Sequence, residues 1–127
     1  GFFRVEDVEK SGAQSKGMEA GRLEMEQALN GKIKRLDVLI DSALEGTPLE
    51  RQYLIGFWNG VVQTIKKEIN PALDEQGYWN GIVQTIEARI REAERDPEGE
   101  KIKMGDVQDK IGKLIDAASD DTVRLAA

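Results

Sequence analysis

Two tryptophan–asparagine pairs are the residues of this chain best suited to hold a ligand: Trp58-Asn59 and Trp79-Asn80. An indole ring offers a flat face for stacking, and an asparagine amide both donates and accepts hydrogen bonds. One hypothesis is therefore a paired binding site lined by these four residues. The alternative, which the surrounding sequence favours, is that the tryptophans build the core between packed helices.

Both pairs lie inside a repeated ten-residue motif. Residues 56–65 (GFWNGVVQTI, the first copy) return 21 positions later as residues 77–86 (GYWNGIVQTI, the second copy), with eight of ten positions identical. Three pairs of glycines in the chain share a spacing of four residues: Gly17 and Gly21, Gly56 and Gly60, Gly77 and Gly81. A glycine inside a helix costs about 1 kcal/mol relative to alanine, and close approach of a neighbouring helix is the usual compensation. The motif therefore predicts two tightly packed helices, with each tryptophan over the other helix near its glycines.

Catalysis and metal binding are disfavoured by what the chain lacks. It contains no histidine and no cysteine, which removes the commonest general base and the commonest transition-metal ligands. Carboxylate pairs such as Glu24 with Glu26 diverge on a helix, because residues two apart do not share a face. We expect no enzymatic activity, no catalytic or metal-binding residues and no cofactor.

Charge and hydropathy narrow the partners. A net charge of −6 argues against nucleic acid, which binds cationic surfaces. The longest uncharged stretch, residues 52–65, is too short to span a bilayer. Charged residues follow Phe2 and Phe3 at once, so the start of the chain does not resemble a signal peptide. We expect a cytoplasmic protein whose partners are other proteins, with a homo-oligomer or a larger assembly favoured.

The elements that must position the motif are predicted to be helices. Residues 1–17 form an arm whose Phe2 and Phe3 dock either on the chain's own bundle or on a neighbouring subunit. Apolar residues at helical spacing then predict a first helix from Met18 to Gly46, with a kink or break considered at Asn30-Gly31.

Punctuating residues place the later helices. Thr47, Pro48 and Glu50 predict the start of a second helix that ends at Asn70 before Pro71. A third helix starts at Pro71 or only near Tyr78, so that residues 56–86 form either a hairpin or a kinked helix. Asp106 is predicted to cap a fourth. The expected fold is all-α: an antiparallel bundle of about four helices over residues 18–127, with a duplicated central hairpin and an N-terminal arm.

A short segment carries a family resemblance. Residues 51–57, RQYLIGF, resemble the Tyr-Leu-x-Gly-Tyr/Phe helix segments of small α-helical proteins in the head and connector modules of tailed bacteriophages. The resemblance covers about ten residues and extends to the second copy. It implies a virion or assembly component, in the head, connector or decoration, with no cofactor.

Two functions follow as expectations. The first is a non-catalytic structural, assembly or adaptor protein; its candidate contact residues are Phe2, Phe3, Gly56, Trp58, Asn59, Gly60, Gly77, Trp79, Asn80 and Gly81. The second is a small acidic binding module or inhibitor that engages a ligand or partner protein through the Trp-Asn-Gly motif.

Overall fold

Four α-helices make up most of the computed structural model, which describes residues 5–74, 76–96, 98–99 and 101–117, with side chains from Val8 onward. The helices are α1 (Val5–Leu29), α2 (Glu50–Glu68), α3 (Tyr78–Arg95) and α4 (Gly105–Ala117). They pack against one another, and no strand lies within the described ranges. The prediction of an all-α bundle is confirmed.

Helix α1 begins earlier and ends earlier than the sequence predicted. Residues 5–17, assigned to an arm, form the first half of the helix, whereas Phe2 and Phe3 lie outside the described residues. The predicted continuation to Gly46 is wrong. Gly31 adopts a left-handed φ of +77° and donates to the Ala28 carbonyl oxygen at 3.1 Å, while Lys32 donates to the Gln27 carbonyl oxygen at 2.9 Å. These two bonds satisfy the last free carbonyls of the helix and turn the chain away.

Residues 30–49 form a connection that returns along α1 instead of extending it. The Asp37 amide donates to the Glu24 carboxylate at 2.9 Å, and further along Lys16 lies 3.8 Å from the Asp41 carboxylate. Residue numbers therefore rise along the connection as they fall along α1. The connection leads the chain back to the beginning of α1, so α2 can start beside that end.

The start of α2 uses the predicted capping residues in a shifted arrangement. The helix begins at Glu50, and the Thr47 hydroxyl accepts a hydrogen bond from the Leu49 amide at 3.2 Å. The Glu50 carboxylate reaches back to the Gly46 amide at 3.4 Å. The two side chains thus fix the turn before the helix.

Helices α2 and α3 form an antiparallel hairpin, which excludes the kinked helix. Lys66 of α2 lies 3.2 Å from Glu87 of α3, and Arg51, near the start of α2, donates to the Ala93 carbonyl oxygen at 3.2 Å near the end of α3. Both predicted starts of the third helix correspond to structure: a short 3-10 helix spans Pro71–Leu73, and α3 begins at Tyr78.

Side chains stabilise both helix starts in this hairpin. The Asn70 side chain accepts a hydrogen bond from the Ala72 amide at 3.0 Å and so caps the 3-10 helix. The Asp74 carboxylate accepts bonds from the amides of Trp79 and Asn80 at 3.2 and 3.1 Å. These bonds satisfy amides in the first turn of α3 that have no partner within the helix.

Candidate protein-interaction surface

The first copy is held against α1 through its glycines. Gly56 and Gly60 are buried on α2, and a Cβ atom added to either would overlap the backbone of α1, at the carbonyl oxygens of Gln14 and Met18 respectively. Only glycine lets the two backbones approach this closely. The close packing predicted for these glycines is present, but the neighbour is α1 and not the other copy.

The contact is reciprocal. A Cβ atom on Gly17 or Gly21 of α1 would overlap the carbonyl oxygens of Tyr53 and Phe57 on α2. Gly17 and Gly21 lie 39 positions before Gly56 and Gly60, and the residues they meet keep the same shift. The two helices therefore run parallel and are related by an approximate two-fold axis. Weak Cα–H···O contacts between glycines and carbonyls are typical of such an interface.

The tryptophans of both copies belong to the core. Trp58 and Trp79 are 2% and 3% exposed, and Trp58 meets the Phe57 ring edge-on with centroids 5.4 Å apart. The apolar positions that follow each tryptophan are also buried in both copies: Val61, Val62 and Ile65 in the first, Ile82, Val83 and Ile86 in the second. The indole faces are therefore closed to a stacking ligand.

The four residues of the hypothesised paired site do not converge. Asn59 and Asn80 each lie seven residues before the Lys66–Glu87 contact, on helices that run in opposite directions. At 1.5 Å per residue, the two asparagines are about 21 Å apart along the hairpin axis. Asn59 is half-buried on α2, and Asn80 is exposed in the first turn of α3. The predicted tryptophan-over-glycine packing between the copies is wrong for the same reason.

The two copies differ on a single face. Phe57 is 1% exposed, whereas its counterpart Tyr78 is 59% exposed. Gly60 is buried, but Gly81 is exposed, and apart from its own helix no described atom lies within 4 Å of the position that its Cβ would occupy. This outer face is the one that α1 covers in the first copy. In the second copy no described residue covers it.

Threonine follows the same division. Thr64 and Thr85 both donate to the carbonyl oxygen of the glycine four residues earlier, at 2.9 Å in each case. Thr64 is nevertheless buried, and Thr85 is only half-buried. The helix is therefore alike at these threonines, but Gly56 lies inside α2 whereas Gly77 is the left-handed cap before α3.

The uncovered face forms one wall of a groove between α3 and α4, which we call the α3–α4 groove. It has a volume of about 430 Å³ and is lined by Gly77, Tyr78, Gly81, Ile82, Thr85, Val107, Lys110, Lys113 and Leu114. Lys110 and Lys113 are exposed, and neither makes an ion pair with a residue that the structure describes. The groove is thus apolar along its floor and positively charged along the rim formed by α4.

A second cavity, of about 530 Å³, is lined largely by basic residues, but its arginines hold the fold together. Arg89 donates twice to the Asp106 carboxylate, at 2.6 and 2.7 Å, and to the Lys103 carbonyl oxygen at 3.0 Å. Arg51 donates to the carbonyl oxygens of Ala93 and Gly99. These bonds attach the chain after α3, and the beginning of α4, to the hairpin.

The Arg89–Asp106 pair also changes a titration. The hydrogen bonds from Arg89 are the main reason why the pKa of the Asp106 carboxyl falls from its ordinary value of 3.8 to about 2. Asp106 is the second residue of α4, two positions after the cap position of a helix that begins at Gly105, so the prediction that it caps α4 is wrong. Its principal role is therefore to tie α4 to α3.

Neither metal nor membrane chemistry is indicated by the described residues. No group of three or more acidic, histidine or cysteine side chains within them is arranged to hold a metal ion. None of the helices in the described part of the chain combines the length and apolarity needed to cross a bilayer. Comparison with protein-family models, curated proteins and solved structures found no match.

Sequence reasoning missed part of this surface. Tyr78, Thr85, Lys110 and Lys113 were not among the candidate residues, although the first two lie in the motif itself. The Phe-to-Tyr difference between the copies was a usable signal, since tyrosine tolerates water at its hydroxyl end. The lysines gave no such signal, because only the fold brings α4 beside the second copy.

Proposed function

We propose that this protein is a non-catalytic assembly or adaptor protein that joins components by helix–helix packing. One observation carries the proposal: the outer face of the first copy is covered by a helix, and the same face of the second copy is uncovered. A chain with one covered and one open copy of the same helix-packing surface is suited to connecting its own bundle to another component.

The energetic cost of Gly81 supports the proposal. A glycine inside a helix costs about 1 kcal/mol relative to alanine. In the first copy the contact with α1 requires a glycine at position 60. No described atom outside α3 lies near the Cβ position of its counterpart, Gly81. A neighbour from another molecule would give Gly81 the same function that Gly60 has within the chain.

The finer proposal is a homo-oligomer or a larger assembly in the cytoplasm. If the resemblance of residues 51–57 reflects descent, that assembly is a tailed-bacteriophage virion, in its head, connector or decoration. The net charge of −6 is compatible with protein partners, and it disfavours binding to the nucleic-acid backbone.

Sedimentation velocity over micromolar to millimolar concentrations tests self-assembly. We expect a species heavier than the 14.1 kDa monomer whose fraction grows with concentration. A chain that remains at the monomer mass at the highest concentration contradicts self-assembly. Exchanging the exposed Gln84 for leucine provides a control for added surface hydrophobicity, since Gln84 lies on α3 outside the groove.

A further inference from the structure

We propose that the α3–α4 groove binds an α-helix of a partner protein that carries a small residue where it crosses Gly81, with an acidic residue on the same face. This inference rests on the proposed function, because it names the partner of the uncovered surface. The occupant is argued from the first copy, where the same surface holds such a helix.

The first copy supplies the geometry of the complex. Gly60 and the backbone of Phe57 lie against α1, which meets them with Met18 and Gly21, and Thr64 is buried one turn further along α2. A bulky side chain at either glycine of α1 would overlap the α2 backbone. The surface therefore accepts only a helix with small residues at this spacing.

The second copy repeats the part of that contact around Gly60, whereas Gly77, the counterpart of Gly56, is the left-handed cap before α3 and lies outside the helix. Gly81, Tyr78 and Thr85 occupy the positions of Gly60, Phe57 and Thr64, and all three line the groove. Gly81 leaves open space for an approaching backbone, and the exposed Tyr78 ring can close over the partner helix as Phe57 does under α1.

Charge specifies the partner further. Lys110 and Lys113 line the groove on its α4 side without an ion pair to any described residue. Acidic side chains next to the small residues of the partner would complement them.

Helix α1 of the same chain is not available as the partner helix. Gly17 and Gly21 of α1 are already in contact with Tyr53 and Phe57, so α1 cannot reach the groove of its own chain without leaving the first copy. Helix α1 nevertheless provides the appropriate probe, as its sequence is known to fit this type of surface.

The test uses a synthetic peptide of residues 5–29, with capped ends and a hydrocarbon staple between positions 11 and 15 to hold it helical. Both staple positions are exposed on α1. The peptide is titrated into the ¹⁵N-labelled full chain, and amide chemical shifts are followed. We expect the amides of Gly81, Thr85 and Lys110 to shift progressively with saturation.

Variants on each side test the glycine contact. Gly81→Leu should weaken binding about tenfold or more by filling the groove, and Gln84→Leu, exposed outside the groove, should not. A peptide with Gly17→Leu and Gly21→Leu should lose binding. Lys110→Glu with Lys113→Glu should weaken it, and added salt should reduce the difference.

Several results would overturn the inference. One is that the groove amides do not shift at millimolar stapled peptide. Another is that Gly81→Leu binds the peptide as tightly as the unaltered chain. Shifts confined to the α1–α2 contact would mean that the peptide only replaces α1. The groove amides could instead shift with protein concentration alone and stop shifting in Gly81→Leu. That result would support helix binding in the groove and identify a second copy of the chain as the source of the helix.

The same variants separate this inference from the proposed function. If Gly81→Leu still self-assembles but the chain does not bind the peptide, the assembly function is supported and helix binding in the groove is contradicted. If the chain binds the peptide but stays monomeric, helix binding in the groove is supported and self-assembly is contradicted.

Discussion

The first and second copies of the motif have nearly the same sequence, but the first lies inside α2 and is buried on two faces, whereas the second begins at the left-handed cap Gly77 of α3 and is buried on one. Trp58 and Trp79 occupy equivalent places in the core. Gly60 and Gly81 do not occupy equivalent surroundings, because α1 covers only the first. A motif thus determines its own helix and its core-facing side, whereas the rest of the chain determines whether its second side finds a neighbour.

The comparison also shows that one residue type has opposite energetic consequences in two places. Gly60 makes a close helix contact possible, so its low helix propensity is offset by packing. Gly81 has the same low propensity and no described neighbour. Substitutions at paired positions therefore measure what the neighbour contributes.

The largest difference is expected between Phe57→Ala and Tyr78→Ala. Phe57 is 1% exposed, so its truncation should leave a cavity that costs about 3–5 kcal/mol in the free energy of unfolding. Tyr78 is 59% exposed, and its truncation should change stability by about 0.5 kcal/mol or less. Urea unfolding of the two variants measures both. Equal losses would mean that the second copy is covered within the monomer.

Gly60→Ala should have the next largest effect. The added methyl group would meet the Met18 carbonyl, so α1 and α2 must separate along their contact. We expect a loss of about 2–3 kcal/mol, since overpacking exceeds the gain in helix propensity. Thermal and urea unfolding should agree on the sign. Unchanged stability would contradict the close glycine contact.

The success of prediction from the sequence depended on the range of the interactions. Pro71, Asn70 and Gly77 act on their immediate neighbours, and they placed the break between α2 and α3 within a few residues. The apolar spacing of Ile33, Leu36 and Ile40 suggested a helix but belongs to an irregular connection. The Gly31 helix end overrode that periodicity, because its hydrogen bonds terminate α1.

The candidate surface was less accessible to sequence reasoning. The glycine spacing indicated close packing, and the two glycine pairs of α1 and α2 do meet. These pairs meet because residues 30–49 return along α1 and so make α1 parallel to α2. No local sequence pattern indicates this path of the connection. The position of α4 beside the second copy depends on Arg89 and Asp106, which are 17 residues apart.

Gly81→Ala should reverse the sign seen at Gly60. Outside its own helix, no atom of the described residues lies within 4 Å of the new methyl position, so no described neighbour opposes the gain in helix propensity. We expect the free energy of unfolding to increase by about 1 kcal/mol. The matched variant Asn80→Ala, at an exposed position one residue earlier, controls for general helix effects. A destabilised Gly81→Ala would show that this position is covered in the isolated chain.

Asp106→Asn should give the smallest effect on stability. Its dependence on pH distinguishes the ionic contact between α3 and α4 from the glycine contact between α1 and α2. The pKa of Asp106 is lowered from 3.8 to about 2, so its pairing with Arg89 stabilises the fold above pH 3.8 and loses this contribution as pH falls through about 2. The pair is partly exposed, so at neutral pH the variant should lose about 1 kcal/mol or less. Urea unfolding at pH 7, 3 and 2 should show the two proteins converging at the lowest pH. The glycine contact between α1 and α2 is made by backbone atoms, so the loss in Gly60→Ala should remain the same across this range. A constant loss in Asp106→Asn as well would contradict a titrating link between α3 and α4.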